Sequence, residues 1–483
     1  MKFTDKLKRV LEDGQSIEAW LHPHQMRGIL WALNRRGVLL RWPTGAGKTA
    51  AAAVLVTRPT SSGRTVVVCR SDAKITVWKR TLDRLTTCNI HVVWGTPSTA
   101  DAIPTDIDVV IINWEVLKEW KPLLLKWLSG GSVILDEAHY GKAWRRTKKV
   151  MDPFTKRPAR IPLDTRATAM HELGRQAEYI VALTATPVAE NRMDFWNILD
   201  TLQPASWGSS WTYAHRYCAA HESEYGGLDT SGASNSEEFK HRLADIMHSV
   251  DKADILDVYN VMKRETIRLD ERELGRPGAF ASLLKQAKSK EDHVWVKLAR
   301  ASSRKHKWAL SRAQWHAEEN DRTVWGLGLR REVEALGEKF SKKFGADRVR
   351  WSHGGTSVKE REEQLLWYTT DDGGPKFLVV SIQAWGQSID GLQCSNAAYT
   401  LQLPWRPIDV IQWDGRFQRG GGGTDCTVYY VIAPGTYDER VQELILSKID
   451  VVLETYSDRD ADAISTTLDQ PDEELLDDII SSF

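Results

Sequence analysis

Three short stretches of the chain carry residues whose types and spacing suit phosphate chemistry. In Pro43-Thr44-Gly45-Ala46-Gly47-Lys48-Thr49 the glycines let backbone N–H groups close around phosphate oxygens. Thr44, Gly45, Ala46 and Gly47 would form that cradle. Lys48 would reach the β- and γ-phosphates and Thr49 would ligate Mg2+. Trp42 stands where the strict G-x-x-x-x-G-K-T pattern has its first glycine. Further along, Val133-Ile-Leu-Asp136-Glu137-Ala138-His139 closes an apolar run. Asp136 would hold Mg2+ through water and Glu137 would polarise an attacking water, as in-line phosphoryl transfer requires. The third stretch is Gln412-Trp-Asp-Gly415-Arg416-Phe-Gln-Arg419. Its two arginines fall on one face of a helix. A planar, permanently charged guanidinium suits a developing γ-phosphoryl charge, and such a group is worth about 10³–10⁵ in rate.

The elements that must position these residues alternate. Gly37–Trp42 reads as a buried parallel strand, broken by the glycine-rich turn and followed by a helix of strong formers at Ala50–Val56. Short apolar strands recur at 65–69, 91–94, 108–112, 132–135 and 179–183, with helices such as 74–85 and 116–127 between them. Strand and helix at this spacing mean a parallel sheet with crossover helices. From about 203 to 319 the strands are expected to vanish, leaving charged helical segments that include basic pieces at 283–290 and 297–307. Alternation resumes at 323–327, 348–352, 377–381, 398–402 and 426–432. The predicted fold is α/β: two RecA-like P-loop NTPase domains at 1–202 and 320–453, a mostly helical insertion at 203–319, and an acidic tail at 454–483.

The motif order carries a resemblance. Leu21-His-Pro-His-Gln25, Pro43–Thr49, Asp136–His139, Thr184-Ala-Thr186 and Gln412–Arg419 follow one another as the superfamily 2 helicase motifs do. More narrowly the chain resembles the Swi/Snf-type DNA translocases. That likeness lies in Leu183-Thr-Ala-Thr-Pro187 with its downstream Asn191–Trp196, in Pro404-Trp405-Arg-Pro407, and in Gly435-Thr-Tyr-Asp438-Glu439-Arg440. Arg216-Tyr-Cys218 and Gly226–Asn235 resemble the fork-remodelling, annealing-helicase branch. Three positions depart from that pattern. His248-Ser249 replaces a basic pair, a proline-rich run after Leu256 is missing, and Gly415 replaces an acidic residue. The resemblance implies ATP and Mg2+ as cofactors and DNA, duplex, forked or single-stranded, as partner. It implies that Gln25 recognises adenine, that Thr184 and Thr186 couple nucleotide state to the DNA-binding face, and that Gly386 and Asp390 lie near nucleotide and DNA. Gln412 belongs to the same coupling, and Arg416 and Arg419 complete the ATP site from across a cleft.

Composition bounds the alternatives. Lys and Arg number 65, as do Asp and Glu, so the formal charge is zero, which on its face speaks against a dedicated nucleic-acid binder. The sum hides a segregation: from Glu454 onward there are ten acidic residues and one basic, so the preceding 453 residues carry 64 basic against 55 acidic. Lys142, Arg145, Arg146, Lys148 and Lys149 fall in a stretch, 142–160, with eight basic residues and one acidic; they are candidate phosphate-backbone contacts. The tail, with its Asp-Glu-Glu-Leu-Leu-Asp-Asp run, is expected to dock on a basic groove of the chain itself or on a replication or single-strand-binding protein. Five scattered cysteines without a C-x-x-C pair argue against zinc and fit a reducing compartment. No apolar run reaches membrane length and the charged N-terminus is no signal peptide. The expected setting is the cytoplasm of a bacterial or virus-infected cell, or a nucleus in a eukaryote. Competing readings are an RNA helicase, which shares Asp-Glu-Ala-His, the motor subunit of a restriction or defence complex, and a non-catalytic scaffold for branched DNA. The tryptophans, 21 against 12 tyrosines and 10 phenylalanines, read mainly as packing residues.

Overall fold

The computed structural model describes residues 21–43, 45–98, 102–142, 147–151, 158–162, 165–185, 192–223, 228–251, 255, 262–276, 290–370, 372–386, 391–418, 424–455, 464–465 and 468. The chain divides into two compact units. One takes residues 1–254 with 454–456, and the other takes 255–453 with 457–483.

In the first unit the elements run α1 (Pro23–Leu33), β1 (Gly37–Arg41), α2 (Lys48–Val56), β2 (Thr65–Cys69), α3 (Arg80–Leu85), β3 (Ile90–Val92), β4 (Val109–Asn113), α4 (Leu117–Leu128), β5 (Ser132–Asp136), β6 (Thr147–Met151), β7 (Pro158–Pro162), α5 (Arg166–Gln176) and β8 (Tyr179–Thr184). Then come α6 (Trp196–Leu202), α7 (Ser210–Tyr217), β9 (His221–Glu222), β10 (Leu228–Asp229), α8 (Ser236–Ala244) and β11 (Met247–Ser249). Seven strands form one sheet in the order β11-β1-β8-β5-β2-β4-β3, and every pairing is parallel. Val38–Leu40, Val66–Val68, Val109–Ile112 and Val133–Leu135 are wholly buried. Apolar runs of this kind arise because helices cover both faces of a parallel sheet. The expected helix over 74–85 opens as a wider turn of π type at Lys74–Lys79 and becomes α3 only at Arg80.

The second unit continues with β12 (Met262–Arg268), α9 (Lys290–Glu318), β13 (Arg322–Leu327), α10 (Arg330–Phe344), β14 (Val349–Ser352), α11 (Val358–Thr369), β15 (Lys376–Ser381), α12 (Ile382–Trp385), β16 (Ala397–Thr400), α13 (Pro407–Asp414), β17 (Cys426–Ile432) and α14 (Tyr437–Thr455). Its six-stranded sheet is ordered β12-β17-β16-β13-β15-β14 and is again wholly parallel. Trp325, Tyr399 and Tyr429 occupy matched positions on β13, β16 and β17. Their rings stack at 4.3 and 4.9 Å, so one aromatic row crosses three strands.

Four described strands lie between 203 and 319, where none was expected: β9 and β10 pair antiparallel with each other, and the other two extend the main sheets. β11 joins the first sheet beside β1, and β12 joins the second beside β17. Met247-His-Ser is too short and too polar to read as a strand. Met262-Lys-Arg-Glu-Thr-Ile-Arg is charged because it is an edge, where charge discourages further pairing. The basic stretch after the Asp-Glu pair also forms strands, with β6 and β7 pairing antiparallel and setting Lys148 opposite Ile161 and Lys149 opposite Arg160.

One basic residue of α9 turns inward. Lys305 is fully buried; its Nζ donates to the carbonyls of Leu401 (2.6 Å) and Val431 (2.7 Å) and pairs with Asp438 of α14. Asp438 also accepts from the backbone N–H of Ala433. Removing one partner of a buried pair leaves a charge uncompensated. Asp438→Ala is therefore expected to cost about 3–5 kcal/mol in urea denaturation, well beyond a surface carboxylate change such as Glu443→Ala.

Candidate functional site

The glycine-rich turn joins β1 to α2, and two of its glycines, Gly45 (φ 85°) and Gly47 (φ 75°), have left-handed backbone. That conformation suits glycine because it has no Cβ. At Gly47 a Cβ would lie 1.9 Å from Gln25 Nε2. Gln25 is buried beneath the turn. Its Nε2 donates to the carbonyls of Ala46 (3.1 Å) and Gly47 (3.3 Å), and its Oε1 accepts from the backbone N–H of His22 (2.7 Å). His24 donates to the Ala46 carbonyl at 2.9 Å, and burial lowers its pKa. Lys48 Nζ donates to the carbonyls of Trp42 (2.8 Å) and Pro43 (3.2 Å). Thr49 follows on α2, half-buried. Trp42, in the place of the missing glycine, is wholly buried; its indole lies where a Cβ on Gly28 of α1 would be, and its Nε1 donates to His248.

Register brings the other motifs to the same edge. β8 lies between β1 and β5, with Arg41 opposite Thr184 and Leu183 opposite Asp136. The carboxyl ends of these three strands therefore present the turn, Thr184 and the Asp-Glu pair together. Crevices at such strand ends are where open parallel sheets bind ligands.

Asp136 and Glu137 are held in different ways. Trp78 Nε1 donates to Asp136 Oδ2 at 2.7 Å, and Trp114 Nε1 donates to the Asp136 carbonyl at 2.8 Å. Glu137 takes a left-handed conformation (φ 49°). Its Oε2 lies 3.4 Å from His139 Nδ1 and accepts from Thr184 Oγ1 at 3.4 Å; His139 and Thr184 are 3.3 Å apart. The two acids titrate apart. Burial, then the neighbouring Glu137 charge, pushes Asp136 well above the ordinary carboxylate range, against the opposing pull of Trp78 and Lys48. Burial also pushes Glu137 upward, but His139 and Lys48 outweigh it and hold Glu137 below its usual value. Two adjacent carboxylates with separated pKa values are a recurring mark of a reactive site.

Of the remaining candidate residues, Arg416 is buried in the second unit and donates through Nε to the Gly386 carbonyl at 2.9 Å. Gln412 is buried on α13, and its Oε1 has no hydrogen-bond partner. Lys142 pairs with Asp194 at 3.3 Å. Lys148 and Lys149 are strand residues of β6. Thr44, Arg145, Arg146, Thr186, Asp390 and Arg419 lie outside the described residues. Sequence reasoning missed Trp78 and Trp114 as supports of Asp136, and Arg70, which pairs with Asp72 and donates to the Tyr140 hydroxyl while lowering the pKa of Glu137. The tryptophan excess was the available signal, because a buried indole N–H needs an acceptor.

A carboxyl whose folded pKa is raised binds its proton more tightly in the native state. The ionised form then opposes folding at neutral pH, and this penalty fades as pH falls into the ordinary carboxylate range. Asp136→Asn keeps an acceptor for Trp78 and removes the charge. It is expected to raise stability at pH 7 by on the order of 1 kcal/mol, with the gain shrinking toward pH 4 in parallel thermal melts.

The DEAD/DEAH box helicase family model matches residues 22–195. Among curated relatives, the chain is 23% identical to the DNA annealing helicase and endonuclease ZRANB3 of Homo sapiens, over 94% of this chain and 42% of that protein. It is 24% identical to the SWI/SNF-related matrix-associated actin-dependent regulator of chromatin subfamily A-like protein 1 homolog of Caenorhabditis elegans, over 89% of this chain and 61% of that one. The chain thus spans about half the length of the curated relatives it matches. Among solved structures it aligns with the Sulfolobus solfataricus SWI2/SNF2 ATPase core in complex with dsDNA at a TM-score of 0.39 and 18% identity, covering 94% of this chain and 96% of that one. The chain is thus similar over residues 22–195 to the DEAD/DEAH box helicase family, and over most of its length to SWI/SNF-related proteins and annealing helicases.

Proposed function

We propose that the chain is an ATP-driven DNA motor, an ATP hydrolase whose turnover moves it along DNA or remodels DNA, forked or branched DNA included. The observation that carries this reading is the shared strand edge: the phosphate-cradling turn, Thr184 and a carboxylate pair of split pKa converge there. The helicase family match over the same residues supports it. DNA as the track is supported by the annealing-helicase relatives and by the 64-to-55 basic excess before Glu454.

In this reading Gly45, Ala46 and Gly47, with Thr44, offer backbone N–H groups to the phosphates. Lys48 exchanges the carbonyls of Trp42 and Pro43 for phosphate oxygens. Glu137, kept ionised beside His139, takes a proton from the attacking water, and Thr184 reports its state to the rest of the unit through the shared Glu137–His139 contacts. Gln25 meets adenine by trading one of its loop carbonyl bonds. Thr186 and Gln412 extend the coupling; Arg416, Arg419 and Asp390 are assigned to the nucleotide. Lys142, Arg145, Arg146, Lys148 and Lys149 contact the DNA backbone.

The donor set fits Mg2+. It offers hard oxygens, the Thr49 hydroxyl and the Asp136 carboxylate, and the raised Asp136 pKa marks a carboxylate that a nearby cation would stabilise. Mg2+ binds through one or two protein ligands plus substrate phosphates and waters. When bound, Mg2+ would neutralise charge on the β- and γ-phosphate oxygens.

Lys48→Ala and Glu137→Gln are each expected to abolish ATP hydrolysis; robust turnover by the Glu137 variant would remove the assigned base. Arg419→Ala is expected to keep ATP binding, read by fluorescent-nucleotide titration, while turnover falls by about 10³ or more. ATPase rates across forked duplex, linear duplex, single-stranded DNA and RNA test the track. Preferential stimulation by RNA would replace the DNA reading with an RNA helicase.

A further inference from the structure

The second unit holds a cationic concavity that the motor reading leaves unused. Lys297, Arg300 and Arg304 recur at helical spacing on α9 and, with Arg440 of α14 and the Tyr437 ring, line a cavity of about 310 Å³. Arg304 pairs with Glu271 through Nη2, yet its Nε is buried without a hydrogen-bond partner. Arg440 pairs with Glu443 on the exposed surface of its own helix. Asp438 is taken by Lys305, and Glu439 accepts from the Gly435 N–H. Lys297 lies over the Tyr437 ring at 5.7 Å. Neither Lys297 nor Arg300 has a carboxylate partner among the described residues. Aromatic rings adjoin the cations: Tyr437 contacts Trp405, which contacts Trp295, and Trp295 is 44% exposed.

Leu468 is anchored on α14, the helix that contributes Tyr437 and Arg440 to this concavity. Ile464 and Leu468 are fully buried, and Gln442 of α14 donates through Nε2 to the Leu468 carbonyl. Gln442 lies two residues from Arg440 on the same helix, about 200° around its axis, so the tail rounds α14 to reach the cations. The sequence then runs Asp469-Gln-Pro-Asp472-Glu473-Glu474-Leu-Leu-Asp477-Asp478-Ile-Ile, which sets six acidic residues against the four cations of the concavity. An extended chain reaches about 3.3–3.6 Å per residue, so the acidic run spans the site from its anchor. Tethering at this range gives a local concentration on the order of millimolar.

We propose that the acidic segment 469–478 docks in cis on the concavity formed by Lys297, Arg300, Arg304 and Arg440, and so competes with polyanions for the second unit's cationic face. The docking stands on this unit alone. Only its consequence for DNA rests on the motor reading.

The test is carbodiimide cross-linking of the full chain, which joins a carboxylate to a lysine amine without a spacer, followed by peptide mass spectrometry of the monomer. A Lys297-to-tail amide is expected, with a yield independent of protein dilution. The yield should fall at least about fivefold in ~1 M salt and equally in Arg300→Glu with Arg440→Glu. Both changes are at exposed positions, so an unchanged thermal midpoint confirms the fold of that variant. Deleting 469–483 is expected to raise duplex-DNA affinity about tenfold at ~50 mM salt and to steepen its salt dependence. A tail linked only to other lysines, links only between chains in an isotope-mixed sample, or a yield indifferent to the arginine changes would overturn docking. Unaltered DNA affinity after deletion would overturn the competition. A Lys297–tail link in a chain whose ATPase ignores every nucleic acid would keep the docking and discard the motor instead.

Discussion

The placement of β8 between β1 and β5 is the constraint on which the candidate site depends. Parallel strands in register end at a common level. Arg41 opposite Thr184 and Leu183 opposite Asp136 therefore put residues from three distant stretches of sequence on one rim. A slip of one residue in either pairing would turn every side chain of the slipped strand to the opposite face, separating Asp136 from Trp78 and Thr184 from Glu137.

Within the rim, opposed electrostatics do the chemical sorting. Two adjacent carboxylates in a poorly solvated place cannot both ionise cheaply. The chain resolves this by giving Glu137 an imidazole and a hydroxyl, while the Trp78 indole, Lys48 and a backbone N–H only partly offset the burial of Asp136. The result is one acid held toward the charged form and one pushed toward the neutral form. The raised Asp136 pKa implies a stability cost at neutral pH, a common trade where a site must be ready for a charged ligand.

The tryptophan excess has a related explanation. Trp42, Trp78, Trp114, Trp325, Trp385 and Trp413 are among the largest wholly buried side chains, and each indole N–H has an acceptor: His248, Asp136, the Asp136 carbonyl, Thr323, Ser352 and Thr400 respectively. These rings fill volume and also fix polar groups. Trp78 fixes the candidate magnesium carboxylate itself, and Trp114 fixes the backbone carbonyl of the same residue. Charge is segregated in a similar way: a neutral total conceals a basic body and an acidic end, and the cations of α9 divide between a buried lysine that locks α14 to the sheet and exposed ones that line a concavity.

Local pattern alone was enough for the alternating α/β architecture, the phosphate-binding turn and the Asp-Glu pair, because strand hydrophobicity, glycine conformation and adjacent carboxylates are properties of neighbouring residues. It could not reveal β11, which is short and polar, or β12, which is charged, because they become strands only where β1 and β17 offer them unpaired edges. Nor could it show that Gln25 and Lys48 are engaged by carbonyls of their own loop, that Trp78 and Trp114 support Asp136, or that Lys305 points inward while its helix neighbours Lys297 and Arg300 do not. Those outcomes depend on sheet order and helix rotation, which bring together residues far apart in the chain, so only the tertiary structure decided them.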